Sequence, residues 1–126
     1  MDISFGIAGP GFRIWSQDGL AVVTAPPQIT DDNAQQLWDA LASVSCDHAV
    51  VVADMAATTC MSLSGISALL MALRCTTASG AELRTVITHP QVSEMFTVTS
   101  MRRVLPVFAS LSAAKGASQA RLGQAS

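Results

Sequence analysis

The sequence predicts an α/β or α+β domain built on one layer of sheet, and three observations carry that prediction. Short apolar stretches suited to strands alternate with helix-periodic ones along most of the chain. Residues 48–54 contain Ala-Val-Val-Val-Ala with no alternation, as in a central strand covered on both faces. At 126 residues, 50% apolar and 13% charged, the chain is long enough for one core and too apolar for disorder.

The elements follow in order. Residues 12–15 and 20–25 flank the turn-like Gln17-Asp18-Gly19 and read as a hairpin, which Pro26-Pro27 ends because proline cannot donate to a ladder. Thr30 suits an N-cap, with Asp31 and Asp32 in the first helical turn. Ala34, Leu37, Trp38 and Leu41 then repeat at helical spacing, so Trp38 reads as a core anchor and the helix ends near 43–45. After the central strand, a second helix is expected over about 64–77, its apolar face made of Ile66, Leu69, Leu70 and Leu73 and extended by Ala68, Met71 and Ala72. Gly80 marks the next turn, and residues 83–87 read as a strand. His89-Pro90 opens a short helix carrying Val92, Met95 and Phe96. Residues 104–108 read as extended, Ser110 caps a last helix through Lys115, and the small, polar residues 116–126 are expected to be mobile.

Several function classes are excluded or disfavoured. No uninterrupted apolar stretch is long enough for a membrane span, and no basic segment followed by an apolar run marks a signal peptide, so the expected compartment is the cytosol. Residues 1–63 carry a net charge of −6 and residues 64–126 carry +4, which reads as two solvated faces of opposite sign. Arg102-Arg103 is the largest basic cluster, too small for a nucleic-acid footprint. Cys46, Cys60 and Cys75 form no C-x-x-C pair and read as small buried apolar residues, not as zinc ligands or a disulfide framework. No nucleophile elbow, P-loop or dinucleotide fingerprint is present, and His48 and His89 belong to no metal-ligand motif. Asp54, at the end of the central strand, is the one carboxylate in a suggestive place, and it reads as a cap on the following loop. The chain is therefore not expected to be an enzyme or to carry a cofactor or metal.

The informative stretch is Cys60-Met61-Ser62-Leu63-Ser64-Gly65-Ile66, where an apolar strand gives way to an apolar helix. Together with Val51-Val52-Ala53-Asp54-Met55 before it and Ser67-Ala68-Leu69-Leu70 after it, this order resembles the STAS domain of bacterial anti-sigma factor antagonists. In that family a strand ending in Asp-Leu is followed by an apolar pair, then Asp-Ser-Ser-Gly-Leu and an apolar helix. Gly80, Glu82-Leu83-Arg84, and Leu105-Pro106-Val107-Phe108-Ala109-Ser110-Leu111 before Ala113-Ala114 match the later pattern, so the resemblance covers about residues 12–117. It implies an α/β, STAS-like single domain over 1–117, with a flexible tail over 118–126. The expected sheet is mixed and mostly parallel, with about four to five strands packed against about four helices.

The resemblance also implies a function. Such domains bind an anti-sigma factor that is also a serine kinase, freeing a sigma factor to direct transcription. The kinase phosphorylates the first serine of Asp-Ser-Ser-Gly. A phosphate there adds about −1.5 to −2 charge beside a helix N-terminus, which the fold tolerates and a docked partner does not. Aligning Gly65 places Ser62 at the family's acidic residue, Leu63 at its phosphorylated serine and Ser64 at its second serine. The acidic residue before the first helix falls near Gln28. Leucine accepts no phosphoryl group, so phosphorylation at the usual position is excluded.

Three readings of the junction follow. Ser62 or Ser64 caps the helix; one of them is a shifted phosphoacceptor; or Leu63 makes an apolar partner contact that needs no phosphorylation. The candidate partner-binding residues are accordingly Ser62, Leu63, Ser64, Gly65 and Ile66. The alternative is a ligand-sensing or transporter-accessory STAS module that binds a nucleotide, an anion or a lipid-transport partner. Redox control through Cys60 with Cys46 or Cys75 is the remaining, weaker expectation.

Overall fold

The computed structural model describes residues 4–9 and 11–116. The tail expected over 118–126 lies outside the described residues. In order, the chain forms β1 (Ser4–Gly9), β2 (Phe12–Gln17), β3 (Leu20–Thr24), β4 (Gln28–Ile29), α1 (Ala34–Ser45) and β5 (Val50–Met55). Then come β6 (Cys60–Met61), α2 (Leu63–Ala78), β7 (Glu82–Ile87), α3 (Pro90–Val98), a 3-10 turn at Met101–Arg103, β8 (Val107–Phe108) and α4 (Leu111–Gly116).

The main sheet runs β1-β2-β3-β5-β7-β8. Its first three strands are antiparallel neighbours, and from β3 onward every pairing is parallel. The α/β class, the mixed sheet and the four helices are those the sequence implied; β1 adds an antiparallel edge. The β2–β3 hairpin closes on the expected Asp18 and Gly19, whose φ angles of 52° and 81° make the turn that matches strand twist. No helix among the described residues is long and apolar enough to cross a membrane.

One sheet face packs Ala21, Val23, Val51, Ala53, Met55, Leu83 and Ile87 against α1, α2 and α3. This is the main core, and Leu37, Leu41, Leu69 and Phe96 complete it. On α2 the inward stripe is Gly65, Ile66, Ala68, Leu69, Ala72 and Thr76. Leu70 and Met71, assigned to the core from sequence, are instead 38% and 50% exposed. Leu70 lies 100° around the helix from Leu69, outside the buried sector. Trp38 is half-buried at the edge of this core, not at its centre. Helix α1 begins at Ala34, later than expected. Thr30 still caps, but it caps the preceding turn: its Oγ1 accepts from Asp32 N at 3.2 Å, and its own N donates to Asn33 Oδ1 at 2.8 Å.

The opposite face carries Val22, Val52 and Val86, covered through Ala114 of α4, with Trp15, Leu20 and Phe108 around them. Lys115 sits 4.8 Å from the centre of the Trp15 ring, a cation–π contact. Arg84 points into this face. It pairs across β5 with Val52, and its guanidinium reaches Glu82, two residues back on the same side. Nε donates to Glu82 Oε2 at 3.0 Å and Nη1 donates to the Ala114 carbonyl at 2.7 Å. The carbonyls of a helix's last turn lack intrahelical partners, so this cation anchors the C-terminal end of α4 to the sheet.

A second, two-stranded sheet pairs β4 with β6 in parallel, Gln28 with Cys60 and Ile29 with Met61. It clips the loop before α1 to the loop before α2. Thr59 N and Ser62 N donate to the carbonyls of Pro27 and Ile29 at 2.7 and 2.8 Å. Thr58 Oγ1 adds a bond to the Pro26 carbonyl at 2.8 Å. Gly65 rests on this clip. A Cβ there would lie 2.6 Å from Ile29 Cγ2 and 2.9 Å from Met61 Cγ, inside contact distance.

Two outcomes follow. The Arg84 and Glu82 side chains are only 2% and 14% exposed, so Arg84→Met removes a nearly buried ion pair and the bond that ties the Ala114 carbonyl to the sheet. Denaturant melts should show a loss of about 2–4 kcal/mol, and a change below about 0.5 would contradict the anchoring role. Gly65→Ala gains about 1 kcal/mol of helix propensity but overpacks Ile29, a cost of about 1–3 kcal/mol. The net result should be a lower melting midpoint; a stabilised variant would show that the clip yields freely.

Candidate functional site

The clip fixes the conformation of the junction that the sequence singled out. Ser62 leaves β6 in extended geometry and caps α2, its Oγ accepting from Gly65 N at 3.4 Å. Leu63 is the first residue of the helix, and 65% of it is exposed. Ser64 Oγ donates to Asp31 Oδ1 at 2.6 Å, tying the first turn of α2 to the segment before α1. Gly65 and Ile66 are buried beneath the turn. The five residues therefore share one turn, yet only Ser62, Leu63 and Ser64 offer atoms to solvent there.

Leu63 cannot turn inward. It precedes Gly65 by two residues, about 200° around the helix, and Gly65 holds the position against the clip. The side chain is thus held out by backbone geometry. The two serines are engaged differently: one hydroxyl accepts from the helix end, the other donates to a carboxylate.

Two open grooves flank the turn. One, about 330 Å³, lies between β6 and α3 and is lined by Cys60, Met61, Gln91, Glu94, Met95 and Val98. The other, about 300 Å³, lies between α1 and α2; Asp31, Gln35, Trp38, Ser64, Ser67 and Met71 are among its walls. Among the described residues that line them, neither groove has a lysine or arginine. Sequence reasoning missed Val98, Met95, Trp38 and Asp31 as neighbours of the junction. Nothing in their local spacing separates a groove wall from a core position.

The remaining chemically interesting residues have structural partners. Asp54 Oδ1 accepts from Ala56 N at 3.1 Å, the expected loop cap. His89 Nδ1 accepts from Gln91 N at 3.2 Å at the start of α3, and His48 Nδ1 lies 2.9 Å from the Val44 carbonyl. Among the described residues no cluster of three or more His, Cys, Asp or Glu could hold a metal ion. Cys46 is exposed, and Cys60 and Cys75 are half-buried, so none is the fully buried apolar residue expected. Cys75 lies 3.3 Å from Ser45 Oγ and Cys46 lies 3.8 Å from Ser79 Oγ, both at the far ends of α1 and α2. Cys60 precedes α2, and Cys75 is twelve residues beyond Leu63, about 18 Å along the helix, too far for a disulfide with Cys60.

The STAS domain family model matches residues 13–114. The chain is similar to the crystal structure of an anti-sigma factor antagonist from Mycobacterium paratuberculosis, with a TM-score of 0.73, 19% identity and coverage of 90% of this chain and 91% of that one. The anti-sigma factor antagonist SpoIIAA in its unphosphorylated form gives 0.69 at 12% identity, over 90% of this chain and 96% of that one. A part of SLC26A9 also matches, at 0.59 and 18% identity, over 79% of this chain but 20% of that one. No curated protein sequence matches significantly. At these identities the structural likenesses speak for the fold, while the family match spans most of the sequence: the chain belongs to the STAS domain family.

Proposed function

We propose that this STAS domain is a non-enzymatic cytosolic regulator that antagonises an anti-sigma factor of the serine-kinase type, releasing a sigma factor, by docking through the turn Ser62–Leu63–Ser64. Gly65 and Ile66 hold that turn in place from below. The observation that carries this reading is the exposure of Leu63, 65%, at the position where the family's phosphoserine aligns. A large apolar side chain held out of the core contributes little to folding and suits a desolvated contact. The apolar part of the β6–α3 groove, with Met61, Met95 and Val98, extends the contact beside it. Methionines in such a groove adapt to a partner's shape.

In this reading binding needs no dephosphorylation. Ser62 spends its hydroxyl on the helix cap, and Ser64 faces the Asp31 carboxylate, where a phosphate would meet a like charge. The alternative, a sensor of nucleotides or anions, finds less support. The described residues that line the grooves beside the turn include no basic side chain to hold a phosphate.

Leu63→Asp should weaken capture of a kinase-type anti-sigma factor at least tenfold, about 1.4 kcal/mol, while the melting midpoint stays within about 0.5 kcal/mol of the parent. Unchanged affinity, or no capture of any such factor by the parent chain, would sink the proposal. Incubation with that kinase and ATP, followed by mass spectrometry, should find no phosphate on Ser62 or Ser64; phosphate on either would restore the shifted-acceptor reading.

A further inference from the structure

Leu63 is one end of a longer apolar stripe. Leu63, Ser67, Leu70, Met71 and Arg74 follow one another at i, i+4, i+7, i+8 and i+11 on α2, all exposed. They form the outward face of the helix, opposite Leu69 and Ala72. Among the described residues, three of the five large hydrophobic residues that are exposed lie on this one helix, and Trp38 of α1 borders them across the α1–α2 groove.

Charge marks the two ends of the stripe. At the N-terminal end stands Asp31, exposed and held beside Ser64 by their 2.6 Å hydrogen bond. At the C-terminal end stands Arg74, exposed; the one ion pair among the described residues is Arg84 with Glu82. Ser64 and Arg74 are ten residues apart, about 15 Å along the helix. An acidic end, an apolar middle and a basic end make a pattern that complements itself when one copy is turned by 180°.

We propose that two copies of this chain pack α2 against α2 antiparallel about a two-fold axis near Leu70, with Asp31 of each copy facing Arg74 of the other. The isologous rule then supplies two such charge pairs per dimer. Leu70 and Met71 meet their counterparts at the centre. Leu63 packs on the aliphatic stem of Arg74 of the other copy. Antiparallel packing also sets each helix N-terminus beside the C-terminal half of its neighbour, which the helix dipoles favour. The contact is a few helical turns on each side, below the roughly 1,200 Å² of a standard stable interface, so the dimer is weak and forms by mass action.

Because the dimer covers Leu63, it competes with the partner docking proposed above, and this competition alone rests on that reading. Self-association then tunes the free antagonist by concentration, at a position where no phosphate can be added.

The full chain in reducing buffer should rise in sedimentation equilibrium from 13.1 kDa toward twice that mass as its concentration climbs. The climb should fall between about 1 µM and about 1 mM. Arg74→Glu and Asp31→Lys should each weaken self-association at least tenfold, since each homodimer then carries two repulsive pairs. Mixed one to one, the two variants should form a heterodimer about as tight as the parent dimer, since both pairs are attractive again; melting curves check that each variant is folded. A chain that stays monomeric at about 1 mM, or variants whose mixture gains nothing, overturns the proposal. A captured anti-sigma factor should dissociate the dimer, and a dimer that persists in the complex overturns the competition. If no anti-sigma factor is captured but the charge-swapped heterodimer forms, the functional reading falls and the dimer stands. Capture by a chain that remains monomeric gives the converse.

Discussion

The parallel pairing of Gln28–Ile29 with Cys60–Met61 decides where α2 begins and what its first turn presents to solvent. Two residues on each side would not pair in isolation. They hold here because Ile29 and Met61 are buried and because Pro27 and Ile29 accept from Thr59 and Ser62. Gly65 then lies against both side chains with no room for a Cβ. Once Gly65 faces inward, helical geometry leaves Leu63 facing out. The exposed leucine is thus a consequence of the clip and of the glycine, not a local accident of sequence.

The same clip links the two helices that frame the surface. Asp31 reaches Ser64 only because the loop before α1 is stitched to the loop before α2. The acidic group and the apolar turn are therefore positioned by one set of backbone bonds. On the far face of the sheet, Arg84 does comparable work for α4, within a cluster of described residues that contains none of the junction. The proposed docking turn and the Arg84 anchor lie on opposite faces of one sheet. A change that loosens α4 should alter stability more than recognition.

Much of this was legible from residue pattern. The apolar run at 50–53 gives β5, the Asp18-Gly19 turn gives the hairpin, and His89-Pro90 gives the start of α3. The illegible parts have physical reasons. Strands β4 and β6 are two residues long, too short for any periodicity, so the clip could not be foreseen although it controls the site. Arg84 sits in a strand whose residues 83–87 are all buried, and a charged residue there reads as outward-facing unless its partners Glu82 and Ala114 are known. Leu70 and Met71 are apolar residues on an apolar helix, and only packing tells that they face solvent. The junction was found by its resemblance to a motif, while its grooves depend on α1 and α3, which tertiary structure alone brings beside it.

The central claim is that the turn bearing Leu63 is the recognition surface. Methyl-labelled NMR of the chain, titrated with a kinase-type anti-sigma factor, tests it most directly, since leucine and methionine methyls line the turn and its grooves. The account predicts that Leu63, Met61 and Met95 methyls shift or broaden first, while Leu111, on the opposite face of the sheet, stays in place. Perturbation centred on Leu111 and Leu20, with Leu63 unmoved, would contradict it.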